Sequence, residues 1–187
     1  MASSIRDLMR TPRPFDLVGV LFTGIAVTAL VGAITNAVNA LVSPRYFVTI
    51  LGWQHLPPDA IWRASVAQGA FEGLLVGLFL SAVFTTGTGI ITGACCTYLF
   101  AAKHLLGIVA GAVVFWILGG LAAMGLAALS PEFYRAAFIG VPDDFDAMLG
   151  YAWVGGSIWG IQLGGLLSVV VSLVVLRTNW RGERLPS

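Results

Sequence analysis

The sequence predicts an all-α membrane protein. Four transmembrane helices are built as a parallel tandem repeat of a two-helix hairpin, with short interfacial helices on the outer face. Three observations carry this. Four long runs are almost free of charge, the sequence matches itself at an offset of 87 positions, and a Ser-Pro-charged-aromatic-aromatic element closes the first and third runs.

The chain has 187 residues, 58% hydrophobic and only 10% charged. A soluble domain carries about 25% charge, so this chain cannot cover itself with a water-compatible surface. The runs are Leu17 to Val42, Ala64 to Ala102 with Glu72 as its one charge before Lys103, Leu105 to Ser130, and Tyr151 to Leu176. About 20 apolar residues at about 1.5 Å each cross roughly 30 Å of hydrocarbon. Lipid cannot satisfy unpaired backbone groups, so open strands are excluded. The first run is longer than the h-region of a cleavable signal peptide, despite a cleavage-like Val38-Asn39-Ala40, and is expected to stay as a helix.

Distribution of charge sets the expected orientation. With the N-terminus inside, the cytoplasmic side holds Arg6, Arg10, Arg13, Lys103, Arg177, Arg181 and Arg184, and the outer side only Arg45, Arg63 and Arg135. That obeys the positive-inside bias and places both termini in the cytoplasm. The whole chain reads as one integral domain, with unit one at about 14–87, unit two at about 101–176, and a basic cytoplasmic tail at 177–187. Anionic headgroups account for the tail, and nucleic acid is not implied.

At the 87-residue offset Gly24 meets Gly111, Gly32 meets Gly119, Ser43-Pro44 meets Ser130-Pro131, and Phe47 meets Tyr134. Gly69, Gly73 and Gly77 meet Gly156, Gly160 and Gly164, and Ser81 meets Ser168. Both units enter from the same side, so the pseudo-two-fold axis lies along the membrane normal. Inverted repeats, which build many alternating-access transporters, are related differently.

The Ser-Pro elements read as interfacial elbows. Ser43 and Ser130 are good N-caps, and Pro44 and Pro131 suit a first helical position. Tyr46, Phe47, Phe133 and Tyr134 then fall where aromatic rings prefer headgroup depth, in a belt with Trp53, Trp62, Tyr151 and Trp153. Asp59 is the expected N-cap of the second span, and Asp144 or Asp146 of the fourth. With Asp143 these acids lack the spacing of a calcium loop. The glycine ladders Gly69/Gly73/Gly77 and Gly156/Gly160/Gly164 are smooth stripes that let backbones approach closely. Two equivalent stripes are expected to meet near the pseudo-two-fold axis. Gly107 and Gly111 add a shorter patch. The 13-residue stretch "TGIITGACCTYLF" between spans two and three is too short to cross, and reads as interfacial, re-entrant or an extension of either helix.

Chemistry-bearing residues are few. Glu72 lies thirteen residues beyond Asp59, roughly 20 Å along the helix and near the midplane. A charge there costs about 2.5–3.5 kcal/mol, so it must be protonated, paired or beside water. Gln68 is one turn away on the same face, and Asn36 and Asn39 are at similar depth. The second unit does not copy the set: Glu72 meets Trp159 and Gln68 meets Gly155. Interhelical hydrogen bonding and proton or ligand handling both fit these four residues. His55 and His104 are expected on opposite faces, so they share no metal, and each offers one ligand to a haem or a chlorophyll magnesium. No metal and no other cofactor is implied. Cys95 and Cys96 are adjacent without Cys-x-x-Cys spacing, which points to no redox or zinc site. No hydrolase or phosphate-binding motif is present.

The elbow "VSPRYF" and the opening of span three, "YLFAAKHLLG", resemble a group of small bacterial four-helix integral membrane proteins of uncharacterised role. In that group the first helix likewise runs into a polar, Tyr-Phe-containing outer loop. Its members often carry a His-Asp pair before the elbow, where this chain reads "TNAVNALV". The resemblance implies the layout and a bacterial inner membrane, and it transfers no activity.

Composition therefore supports a non-catalytic integral membrane protein, expected first as an accessory or scaffolding subunit that packs through glycine-rich helix faces against other membrane subunits or itself. A small proton, ion or solute transporter using the Glu72 cluster is the alternative. A pigment- or haem-contacting subunit using His55 or His104 is the third reading.

Overall fold

The computed structural model describes residues 11–184. Arg6, Arg10 and the last three residues of the basic tail lie outside the described residues. Among these residues six helices follow one another: α1 Pro14–Val42, α2 Pro44–Ile50, α3 Pro58–Thr92, α4 Tyr98–Leu129, α5 Pro131–Ala137 and α6 Phe145–Arg184. No strand occurs among the described residues. Four of these helices, α1, α3, α4 and α6, are long and apolar enough to cross a membrane. Their outward faces carry exposed Phe22, Leu30, Leu78, Leu118 and Val170, a surface suited to lipid contact.

The helix ends follow local chemistry. Ser43 closes α1 with its backbone N–H on the Asn39 carbonyl (2.9 Å) and opens α2 through its own carbonyl, which accepts from Tyr46 N–H (3.2 Å). Ser130 does the same with Leu126 (3.0 Å) and Tyr134 (3.0 Å). Both serines are N-cap residues, but neither hydroxyl makes a capping bond. One residue ends a helix and begins the next, so the backbone does the joining.

Asp59 differs from expectation. Pro57 is the N-cap of α3 and Asp59 sits in the first turn, where its charge complements the helix dipole and pairs with exposed Arg63 at 3.5 Å. Asp144 caps α6, its Oδ1 accepting from Ala147 N–H at 2.8 Å. The "TGIITGACCTYLF" stretch extends both neighbouring helices. α3 continues to Thr92 and stops at Gly93, whose φ of 63° is the left-handed conformation glycine adopts without penalty. Thr97 caps α4 by accepting from Phe100 N–H at 3.3 Å. Chain direction therefore puts α2 and α5 at one end of the bundle, the elbow end, and the 93–97 turn at the other.

The helices pair as two antiparallel hairpins, α1 with α3 and α4 with α6. The glycine stripes lie inside these pairs and do not face each other, which corrects the expectation that they meet at the centre. A Cβ on Gly69 would run into the Gly32 carbonyl, and one on Gly73 would lie 2.9 Å from Ala29 Cα. A Cβ on Gly156 would run into the Gly119 carbonyl, and one on Gly160 would lie 3.1 Å from Gly119 Cα. Gly77 faces Thr28, and Gly164 faces Phe115. Each stripe is consumed by its own hairpin partner because a short connection already delivers that partner alongside.

Between the hairpins side chains fill the contact, apart from the elbow end, where a Cβ on Gly150 would lie 3.2 Å from the Val42 carbonyl. Leu80 reaches Gly165 and Leu173 reaches Gly87, 3.1 and 2.9 Å from where a Cβ would stand. Near the 93–97 turn an apolar cluster of Val20, Phe84, Cys96, Leu105, Val169 and Leu176 closes the seam.

Candidate functional site: a polar cavity between the hairpins

In the middle of the seam the side chains leave a cavity of about 80 Å³ that all four long helices line. Its wall is mostly aliphatic. Polar groups come from Thr28, Thr35, Asn36 and Asn39 on α1, Glu72 on α3, Trp116 on α4 and Gln162 on α6. Glu72 is the one ionisable residue in the wall.

Each polar side chain is held by local geometry. Asn36 packs over Gly69, its Cβ only 2.6 Å from where a Cβ on that glycine would be, so the glycine makes room for the amide. Asn39 is fully buried, and its Oδ1 accepts from Ser157 Oγ on α6 at 3.2 Å. That bond joins the two hairpins. Thr28 and Thr35 donate their hydroxyls to carbonyls of their own helix, Gly24 (2.7 Å) and Val31 (2.9 Å). Gln68 Nε2 donates to Glu72 Oε1 at 2.9 Å. No Lys, Arg or His lines the cavity, so the Glu72 carboxyl faces it without a protein counter-charge.

Two donors in this region have no partner among the described residues: Asn39 Nδ2 and Trp116 Nε1, both buried. A buried polar atom left unsatisfied costs about 1–3 kcal/mol. With a carboxyl opposite, they give the cavity both hydrogen-bond donors and an acceptor.

The four residues singled out from sequence are thus partly assembled. Asn36, Asn39 and Glu72 line the cavity, whereas Gln68 stands behind Glu72 and holds it. Trp116, Ser157, Thr28 and Thr35 were not singled out. The two threonines are spaced seven apart in line with Asn39's helix, a signal legible in the sequence. Trp116 and Ser157 come from the other hairpin, and only the tertiary arrangement brings them in.

The elbow aromatics split by direction. Phe47 and Tyr134 are buried, and Phe47 stacks on Trp53 at 6.2 Å. Phe133 is exposed. Tyr46 turns inward, its ring 5.0 Å from that of Tyr151 and its Cε2 3.2 Å from where a Cβ on Gly155 would be. Burial and the nearby Glu72 carboxylate both push the Tyr46 phenol above its usual pKa.

Neither histidine lines this cavity. His55 is exposed in the α2–α3 connection. His104 lies near the start of α4, with Nδ1 2.9 Å from the Phe100 carbonyl and Nε2 3.2 Å from Asn179 Nδ2. The carbonyl only accepts, so Nδ1 carries the proton and Nε2 accepts from the amide. Both ring nitrogens are engaged, and neither lone pair is open to a pigment metal. Among the described residues no group of three or more His, Cys, Asp or Glu side chains could hold a metal ion. Cys95 and Cys96 are free and buried, and burial pushes the Cys96 thiol above its usual pKa.

No protein-family model, curated protein or solved structure matches this chain.

Proposed function

We propose that this protein moves protons or a small polar solute through the Glu72 cavity. The observation that carries this is the cavity itself. A lone carboxyl stands in a space bounded by all four long helices, with two unpartnered donors in the same region and no basic residue in the wall. Packing glue would leave no such space.

The accessory-subunit reading, the first expectation from sequence, is weakened by the same packing. The glycine faces it would offer to a partner are filled inside each hairpin, leaving the lipid-facing sides for docking. The engaged nitrogens of His104 speak against that residue as a pigment ligand.

The setting we propose is a bacterial inner membrane. The two hairpins are parallel copies related by an axis along the membrane normal, a reading supported by paired contacts at one offset: Gly32 with Gly69, Gly119 with Gly156, Gly24 with Ser81, and Gly111 with Ser168. The elbow helices α2 and α5 lie in the outer interface, and both termini lie in the cytoplasm, as the basic residues favour.

The test is flux into proteoliposomes under an imposed pH gradient or with labelled small solutes. Native protein should carry one of them, and Glu72→Gln should abolish it. Equal flux from both proteins would end the proposal.

A further inference from the structure

We infer that the Glu72 cavity is a side-entered binding site for an amphiphilic monoamine. The ammonium group sits on the Glu72 carboxylate, and the apolar remainder lies in a mouth beside Gln162 that opens to lipid. The inference rests on the reading of the Glu72 cavity as the functional site, and gives the chemical class of its ligand.

Along the seam the cavity is closed at both ends. Leu80 and Ile108 belong both to its wall and to the apolar cluster at the 93–97 turn. Ile158 belongs to the wall and packs against the elbow-end cluster of Ala40, Phe47, Ile61 and Val154. Sideways it is different. Gln162 is the one exposed residue of the wall. It lies about halfway between Phe145 and Arg177 on α6, next to exposed Leu163 and one turn from exposed Trp159. A residue that lines the cavity and also meets the outer surface of the bundle marks a lateral opening, here at mid-span depth.

Charge selects the head group. Glu72 is the one ionisable residue of the wall, and no Lys, Arg or His balances it. The unpartnered N–H groups of Asn39 and Trp116 are neutral and leave that charge uncompensated. An anion is repelled, and a neutral solute leaves the carboxylate without a counter-charge in a low-dielectric site. A hard metal cation takes six or more oxygen ligands in most sites, and among the described residues no group of three or more His, Cys, Asp or Glu side chains could hold one. An ammonium needs one charge and a few acceptors. Glu72 Oε1 accepts from Gln68 Nε2, which leaves Oε2 for the ligand. Thr28 and Thr35 donate their protons to carbonyls of their own helix, so their oxygens present only lone pairs.

Size selects the remainder. The cavity of about 80 Å³ is roughly half the void of about 150 Å³ that takes up a benzene ring. An ammonium with its first carbons fits among the aliphatic side chains of Val31, Val76 and Ile161. A longer chain continues through the mouth, into the phase in which such a molecule already dissolves.

Binding of tritiated hexylamine to the full chain in detergent micelles tests this, with unlabelled hexanol, hexanoate and methylamine as competitors. Hexylamine should bind at least about 10-fold better than hexanol, the low end for a hydrogen bond to a charged group, and hexanoate should not compete. Methylamine should compete at least about 10-fold more weakly than hexylamine, because it leaves the mouth empty and each buried CH₂ is worth about fourfold. Glu72→Gln should erase the preference for hexylamine over hexanol, and Glu72→Asp, which keeps the charge, should retain it. That ratio within one variant is independent of how much of the variant folds. Gln162→Trp, at an exposed position, should weaken hexylamine and spare methylamine. Equal binding of hexylamine and hexanol overturns the ammonium, and an equal effect of Gln162→Trp on the two amines overturns the mouth. Glu72-dependent flux of protons or another solute without hexylamine binding overturns the inference and leaves the transport reading intact. Hexylamine binding with no flux of any solute removes the transport reading and keeps the site.

Discussion

Gly32 and Gly69 face each other with no side chain between them, so that a Cβ on either would meet the other's carbonyl oxygen. Backbone touches backbone there, on a line through the centre of the first hairpin. Lipid removes the hydrophobic drive for helix association, so dispersion at this close range must supply it.

Gly69→Ala should therefore destabilise the protein by about 1–3 kcal/mol, the usual cost of overpacking. Gly125→Ala is the contrast: nothing lies within 4 Å of its added Cβ. There the substitution should be neutral or stabilise by about 0.5–1 kcal/mol, because alanine gives up less chain entropy in a helix. Unfolding in graded SDS compares them, and equal effects would show that backbone contact is not what distinguishes the two sites.

The Ser157–Asn39 hydrogen bond predicts a measurable coupling across the seam. A double-mutant cycle of Ser157→Ala with Asn39→Ala should return about 0.6 kcal/mol, the average for such bonds between membrane helices. Ser157 also bonds the Val154 carbonyl at 3.0 Å, so the single Ser157 variant reports on both bonds and only the cycle isolates the cross-seam one.

Tyr46 should ionise above the usual tyrosine range, for two reasons of the same sign: burial first, then the Glu72 carboxylate. Glu72→Gln removes the second and leaves the first. The phenolate absorbance, taken as the difference between each protein and its Tyr46→Phe counterpart, should move to lower pH in Glu72→Gln without reaching the value of free tyrosine. An identical midpoint would place the two groups out of each other's field.

Cys96 is almost fully buried and its thiol is pushed up by burial. The thiolate is the reactive form, so a maleimide at neutral pH should leave Cys96 unmodified in the folded protein and label it after denaturation. Rapid labelling of the folded protein would mean that the turn end of the seam opens.

Much of the architecture was legible because the bilayer imposes so few solutions. Charge-free runs located the four long helices. Both ends of the 93–97 turn had local signals, glycine at the stop and threonine at the restart, yet the apolar character of the stretch masked them. Asn36, Asn39 and Glu72 could be grouped from depth along their helices alone. Which way a glycine stripe faces could not be read from the stripe, because smoothness has no direction. The clue lay on the opposing helix, in Gly32 and Gly119. Trp116 as a cavity residue and the inward turn of Tyr46 were invisible for another reason: nothing local distinguishes a tryptophan facing a void from one facing lipid, or a ring turned inward at an elbow from one turned outward.

The seam has a mechanical consequence. Inside each hairpin the backbones interlock at glycine, and sliding one helix along the other would drive carbonyls into Cα atoms. Across the seam, leucine tips, a hydroxyl–amide bond, the Thr23–Tyr98 hydroxyl pair and a tyrosine ring do the holding, and rotamers can absorb a shift. The molecule is thus stiff within its halves and yielding between them. Any tilt it undergoes should turn two rigid plates about the 93–97 turn, widening or pinching the chamber that holds Glu72.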